Sequence, residues 1–185
     1  MARTVPALAA LPLILAAAVA LAQEPGPFGG FKHDNKAPIE ITSDALEVRQ
    51  SEQLAIFSGQ VVAGQGTLRL TADRVVVRYD EDQTDSETGA IQNLSAEGNV
   101  FLSNGAETAQ GSRAEYDVVE GMMFMTGQVL LTQGRNAVAG DRLRINMNTG
   151  VAQMVGNRTA EGAPQAGGQG RVRSVFVPSS RGQSN

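Results

Sequence analysis

The chain contains no cysteine and no tryptophan, a single histidine, and only 4% aromatic residues. Without cysteine there is no disulfide and no thiolate metal site, so packing and hydrogen bonds alone must hold the fold. The one histidine, His33, lies in a loose polar stretch near the N-terminus. That leaves no His pair for zinc and no rigidly held imidazole for a Ser-His-Asp relay. Positive charge is also scarce. The formal net charge is −4, whereas binding to a phosphate backbone needs clustered cations, so nucleic acid is excluded as a partner. No segment has helical periodicity, so no Gly-rich loop opens a helix to cradle phosphate. The acidic run Asp80, Glu81, Asp82, Asp85 and Glu87 fails as a calcium loop. Counting from Asp80, its sixth place is Asp85 where Gly is required, and its twelfth is Ile91 where Glu is required. No two carboxylates are placed on one rigid cleft as sugar hydrolysis requires. These absences lead to the expectation of no catalytic residue, no metal and no cofactor.

One long hydrophobic run is present. Arg3 precedes an apolar stretch from Val5 to Ala22, interrupted by Pro6 and Pro12 and ending Ala20-Leu21-Ala22. That ending is the small-x-small pattern of a signal-peptidase site. Residues 1–22 therefore read as a cleaved export signal. A retained anchor is the rival reading, because the run is near the lower length for a membrane span. Residues 23–36 read as a flexible Gly/Pro-rich segment, and 37–157 as one ordered domain. Residues 158–185, with four Arg against Glu161, read as a disordered basic tail, in which "VRSVFV" (Val172 to Val177) offers one short added strand.

The ordered part repeats. "IFSGQVVAGQGTLRLTADRVVV" (Ile56 to Val77) returns as "FMTGQVLLTQGRNAVAGDRLRI" (Phe124 to Ile145). Gly98, Gly127 and Gly156 are 29 positions apart, as are Asp44 and Asp73. The interval from Gly59 to Gly98 is ten longer, which places an insertion at Asp80 to Gly89. Within each unit the apolar residues alternate, the signature of half-buried strands. Parity changes after Ala72 and after Gly140, so a bulge or corner is expected at Asp73 and Asp141. The mid-strand Gly is expected to leave space on the inner face or to admit another backbone. Turn signals at 62–67, 103–107, 132–136 and 147–150 demand antiparallel neighbours. The predicted fold is thus all-β, an open antiparallel jellyroll or twisted sandwich of ~29-residue strand units. A parallel β-helix is the competing architecture.

The phrases "ITSDALEV", "FSGQVVAGQGTLRLTADRVVV", "LSAEGNVFL", "GSRAEYD" and "FMTGQVLLTQGRNAVAGDRLRINMNTG" resemble the LptA/OstA family of periplasmic lipopolysaccharide-transport proteins. The resemblance covers about Pro38 to Gly156. It implies a β-jellyroll whose hydrophobic groove shields lipid A, with no enzymatic activity. It also implies head-to-tail self-assembly between an inner-membrane LptC-like partner and an outer-membrane LptD-like partner. Burying acyl carbons at ~0.8 kcal/mol each would give roughly 9 kcal/mol for about a dozen. By alternation, the inward and hence candidate lipid-binding residues are Leu46, Val48, Phe57, Val61, Leu68, Leu70, Val75, Val77, Val100, Leu102, Tyr116, Met125, Val129, Leu131, Val138, Leu143 and Ile145. Ile39 and Ile41 are expected at one assembling edge, and Leu143, Ile145, Met147 and Val151 at the other. Two alternatives stay open: an LptC-like membrane-anchored component of the same pathway, and a structural or adhesive β-repeat protein that carries no lipid.

Overall fold

The computed structural model describes residues 28–32, 34, 37–80, 91–156 and 171–177. The expected export signal, His33, most of the 80–89 insertion and most of the C-terminal tail lie outside the described residues. Among the described residues ten strands follow in order: β1 (Ile39–Thr42), β2 (Ala45–Arg49), β3 (Leu54–Gln65), β4 (Leu68–Tyr79), β5 (Ile91–Ser103), β6 (Glu107–Asp117), β7 (Met122–Gln133), β8 (Asn136–Asn146), β9 (Ala152–Val155) and β10 (Arg173–Val175). A 3-10 turn at Gln50–Glu52 is the one helical element among the described residues. Every ladder is antiparallel. That rules out the parallel β-helix and bears out the open antiparallel architecture. The sheet runs β1-β3-β4-β5-β6-β7-β8-β10, with β2 also on β3 and β9 also on β8. It does not close.

Each long strand is bent at its middle. The register slips between Ser58 and Val61 on β3, Thr71 and Arg74 on β4, Glu97 and Val100 on β5, Gln110 and Arg113 on β6, and Thr126 and Val129 on β7. On β3, β5 and β7 the repeated Gly supplies this corner. Gly59, Gly98 and Gly127 have φ of +79°, +77° and +88°, and the residue after each, Gln60, Asn99 and Gln128, is left-handed too. Two left-handed residues in succession turn the strand sharply, and Gly takes the first position without steric cost. The space beside each Gly is occupied by a short polar side chain of the neighbouring strand segment: Asp44 beside Gly59, Asp73 beside Gly98, Ser112 beside Gly127. Asn99 Nδ2 donates to Asp73 Oδ2 at 2.8 Å, and Ser112 Oγ donates to the Gly127 carbonyl at 3.3 Å. The Gly therefore does not hold a groove open, as the sequence suggested. It makes room for the side chain that braces the corner. The parity change expected at Asp73 is present, since Ala72 and Val75 are both buried across it.

The bend folds one sheet into two arms with the core between them. In the first arm the register aligns Ile41, Ala63, Leu70, Leu102, Ala109, Leu131, Val138 and Ser174 as one row across the sheet. In the second arm, Leu46, Phe57, Val75, Ala96, Ala114, Met125, Leu143 and Met154 form another. Both rows mix small side chains, Ala63 and Ala109 in the first and Ala96 and Ala114 in the second, with larger apolar ones.

The expectation for the N-terminal flank needs correction in part, and the short strand offered by the C-terminal tail is present. Within the supposed flexible segment 23–36, Phe31 is 0% exposed and Phe28 is buried, and both join the core. Two aromatic rings in a chain this poor in them bury too much apolar surface to be left in water. Within the C-terminal tail, the short strand offered by "VRSVFV" is Arg173–Val175, which forms β10 on β8, and the Phe176 ring lies 6.2 Å from that of Phe28.

Candidate functional site

The interior between the arms is the candidate site. Val61, Leu68, Leu70, Val75, Val77, Val100, Leu102, Tyr116, Met125, Val129, Leu131, Val138, Leu143 and Ile145 are buried there, and Phe57 is half-buried against them. Leu46 and Val48 are not buried. They are 56% and 59% exposed, although they pair with Phe57 and Ala55 and so share the inward face. The alternation that makes them inward does not bury them, because β2 is an edge strand and nothing packs over its inner face. Alternation reaches further than the residues singled out from sequence: Leu94, Ala96, Ala114 and Met123 also face inward and are buried.

Of the expected edge residues, Ile39 and Ile41 do lie in β1, at one end of the sheet. Leu143, Ile145 and Met147 do not lie at an edge. They are each 0% exposed, and β9 covers β8 from Arg142 to Ile145. Val151, 55% exposed, precedes β9. The second edge is therefore β9 and β10.

The interior is closely filled. A cavity of ≈30 Å³ lies between the arms, lined by residues of both, among them Leu68 and Leu70 from one arm and Val75, Leu94 and Met123 from the other. That volume holds one or two water-sized groups, so an acyl chain enters this cavity only if the arms part. One polar contact ties them together. The Tyr116 hydroxyl donates to Gln65 Oε1 at 3.2 Å, and Gln65 Nε2 donates to the Ala37 carbonyl at 2.9 Å. Burial, with Asp117 adding to it, pushes the Tyr116 hydroxyl up to about 12, so it remains a neutral donor at any physiological pH.

A second polar group closes the end where the hairpins turn. Glu107 is 0% exposed. Its carboxylate accepts the Gly30 N–H at 3.0 Å and the Gln133 Nε2–H at 3.0 Å, while Gln133 Oε1 accepts the Phe28 N–H at 3.3 Å. Burial raises the Glu107 carboxyl above its ordinary 4.5, partly countered by the Gly30 N–H. Sequence reading treated "SNGAE" as a turn alone, yet period 2 places Glu107 on the face of Ala109. A carboxyl raised on folding contributes stability that is full below about pH 4.5 and is lost as pH rises through the folded value. Glu107→Gln, which keeps an acceptor for Gly30 and cannot ionise, is expected to raise the melting temperature above wild type at pH 7–8. The difference should shrink to nothing near pH 4.5, as followed by thermal melts across that range.

This arrangement is apolar and braced. Among the described residues no group of three or more His, Cys, Asp or Glu is placed to hold a metal ion. A family model described as LptA/(LptD N-terminal domain) LPS transport protein matches residues 40–151. An uncharacterized protein of Rhizobium meliloti is 35% identical over 152 residues, covering 80% of this chain and 82% of that protein. The lipopolysaccharide export system protein LptA of Escherichia coli is 25% identical over 147 residues, covering 79% and 74%. The lipopolysaccharide export system protein LptH of Pseudomonas aeruginosa is 22% identical over 151 residues, covering 81% and 85%. The crystal structure of LptH, described as the LptA-homologous periplasmic component of the lipopolysaccharide transport device, matches this fold with a TM-score of 0.63. The match is at 20% identity and covers 78% of this chain and 99% of that one.

Proposed function

Because the chain belongs to the LptA/(LptD N-terminal domain) family of lipopolysaccharide-transport proteins, we propose that it is a non-catalytic periplasmic carrier that shields lipid A between its two arms. Copies assemble head-to-tail so that the groove runs on from one to the next. One end meets an inner-membrane LptC-like protein and the other an outer-membrane LptD-like protein. Residues 1–22 are the cleaved signal that exports it.

The observation that carries this reading is the pair of largely apolar rows that cross the sheet towards both edges. A core that served packing alone would be sealed at both ends. Here Leu46 and Val48 continue the apolar face into solvent at the β2 edge, ready to extend along a neighbour. The edges also differ in charge. Residues 39–53 hold Glu40, Asp44, Glu47 and Glu52 against Arg49. At the other edge, Arg135, Arg142, Arg144, Arg171 and Arg173 stand against Asp141. Opposite signs favour head-to-tail contact and disfavour like ends meeting. The close filling of the interior favours a second reading, a polymerising β-repeat protein whose interior is only a core.

Photo-cross-linking in cells separates them. Val129 is buried and Gln128 is exposed on the corner beside it. A light-activated residue at 129 is expected to capture lipopolysaccharide, and one at 128 to capture none. If 129 and a second inward site, Val100, both stay dark in a folded, exported protein, the carrier reading fails and the polymer reading takes its place.

A further inference from the structure

The two arms are continuous at the corner and free at the opposite side, the mouth, where their hairpin turns face each other. Among the described residues every ladder runs along the sheet, and none crosses the mouth. Closure there is left to the residues that precede β1. Phe28 and Gly30 are tied to the tip of one arm. Their N–H groups donate to Gln133 Oε1 at 3.3 Å and to the two carboxylate oxygens of Glu107 at 3.0 and 3.1 Å. Gly29 and Lys32 lie against the tip of the other arm, at the turn between β8 and β9. A Cβ placed on Gly150 in that turn would collide with the Gly29 carbonyl and stand 3.2 Å from the Lys32 Cβ. Residues 28–32 thus strap one tip to the other, and they bury Phe31 in the core, 0% exposed.

The strap has the properties of a closure that opens. It adds no strand to the sheet. Its anchors are polar. Apart from the Tyr116 hydroxyl, Gln65 and Glu107 are the buried polar side chains among the described residues. Gln65 holds the Ala37 carbonyl and Glu107 holds the Gly30 N–H. Burying such groups carries a cost that an apolar seal would not, and water restores their hydrogen bonds once the strap lifts. The ring of Phe31 is also the one large group that can leave cheaply. The cavity of ≈30 Å³ is too small for an acyl chain, so cargo needs space that something vacates. Side chains of the sheet are fixed by its ladders, whereas Phe31 is carried by a segment outside them.

We propose that residues 28–32 are a gating strap: Phe31 occupies a subsite that one acyl chain of the cargo takes when the strap swings out and the arms part at the mouth. This rests on the carrier reading above and adds its control. Lipid enters sideways through the mouth, and the empty protein is held shut by its own N-terminal segment.

The test uses the full chain with the light-activated residue at Val129 and purified lipopolysaccharide as the probe. The protein has no cysteine, so Lys32→Cys and Thr149→Cys add two exposed thiols, one on the strap and one beside Gly150. A bis-maleimide with a reducible spacer bridges them. Bridging removes the open state, so capture at 129 is expected to fall by roughly tenfold or more and to return on reduction. The melting temperature of the bridged chain should be no lower than that of the unbridged one. Phe31→Ala removes the competitor for the subsite and is expected to speed capture although it destabilises the fold. Damage to the fold alone would slow capture. Undiminished capture by the bridged chain, or slower capture by folded Phe31→Ala, overturns the strap and leaves the carrier standing. No capture by the unbridged chain, at 129 or at Val100, overturns the carrier and the strap with it.

Discussion

Gly98→Ala should lower the stability of the domain by roughly 2–5 kcal/mol, whereas Gly105→Ala should cost only about 1–2. Both glycines have positive φ, +77° and +93°. An alanine at either loses the conformational freedom of glycine, and the left-handed region alone costs an L-residue about 1–2 kcal/mol. They differ in what surrounds them. A Cβ at Gly105 meets nothing within 4 Å. At Gly98 it meets the carboxylate of Asp73, with both Cβ and Cγ of that residue at 2.9 Å. Either Asp73 swings away and loses its bond from Asn99, or the corner opens. Such overpacking typically adds about 1–3 kcal/mol. Urea unfolding of the two variants gives the difference directly, and Asp73→Gly, which also removes the Cβ 2.9 Å away, alone and with Gly98→Ala completes a double-mutant cycle. The double variant should recover the steric part and retain the conformational part. Equal costs for Gly98→Ala and Gly105→Ala would show that the corner is not built on the Gly–Asp fit.

The second large effect is expected at Phe31. Truncating a fully buried phenylalanine costs about 3–5 kcal/mol, and Phe31 is 0% exposed. Its segment is not part of the sheet. It is held to Glu107 and Gln133 by two main-chain N–H groups. Phe31→Ala should therefore act first on the local opening of residues 28–32, and only up to that limit on global unfolding. A loss of about 3 kcal/mol corresponds to an opening constant raised by roughly a hundredfold. Native-state hydrogen exchange at the Gly30 amide reads it. Phe28→Ala, at a less buried ring, should give a smaller change at the same amide. If Gly30 exchanges no faster in Phe31→Ala, the segment does not depend on that ring, and the end of the groove is closed by something else.

Much of the arm structure was legible because it follows from period 2 and a 29-residue repeat, both local properties of the chain. Strict alternation names Val61, Val75, Val100, Met125, Val129 and Leu143 as inward without any knowledge of what lies opposite, and a hairpin turn leaves little choice of neighbour. The break in parity after Ala72 locates the corner for the same reason. The role of the corner glycines was not legible. The partner of Gly98 is a side chain 25 positions away, brought beside it only when β4 and β5 pair.

What tertiary structure alone decided is whatever depends on an opposing surface or on the chain ends. Leu46 and Val48 carry the same alternation as Val75 and Val77, yet stay exposed because nothing packs over the inner face of β2. Leu143, Ile145 and Met147 look like an edge when the repeat is counted, and are interior because β9 adds a further strand. Phe28 and Phe31 sit among glycines and prolines with no periodic pattern, so only the apolar opening at the end of the arms gives them a place. β10 shows only a short apolar run, and its partner on β8 is more than thirty positions back. Sequence pattern determined which face each strand buries. Contact between distant segments decided where the sheet ends and what closes it, because edges and openings are properties of the assembled surface and leave no period in the chain.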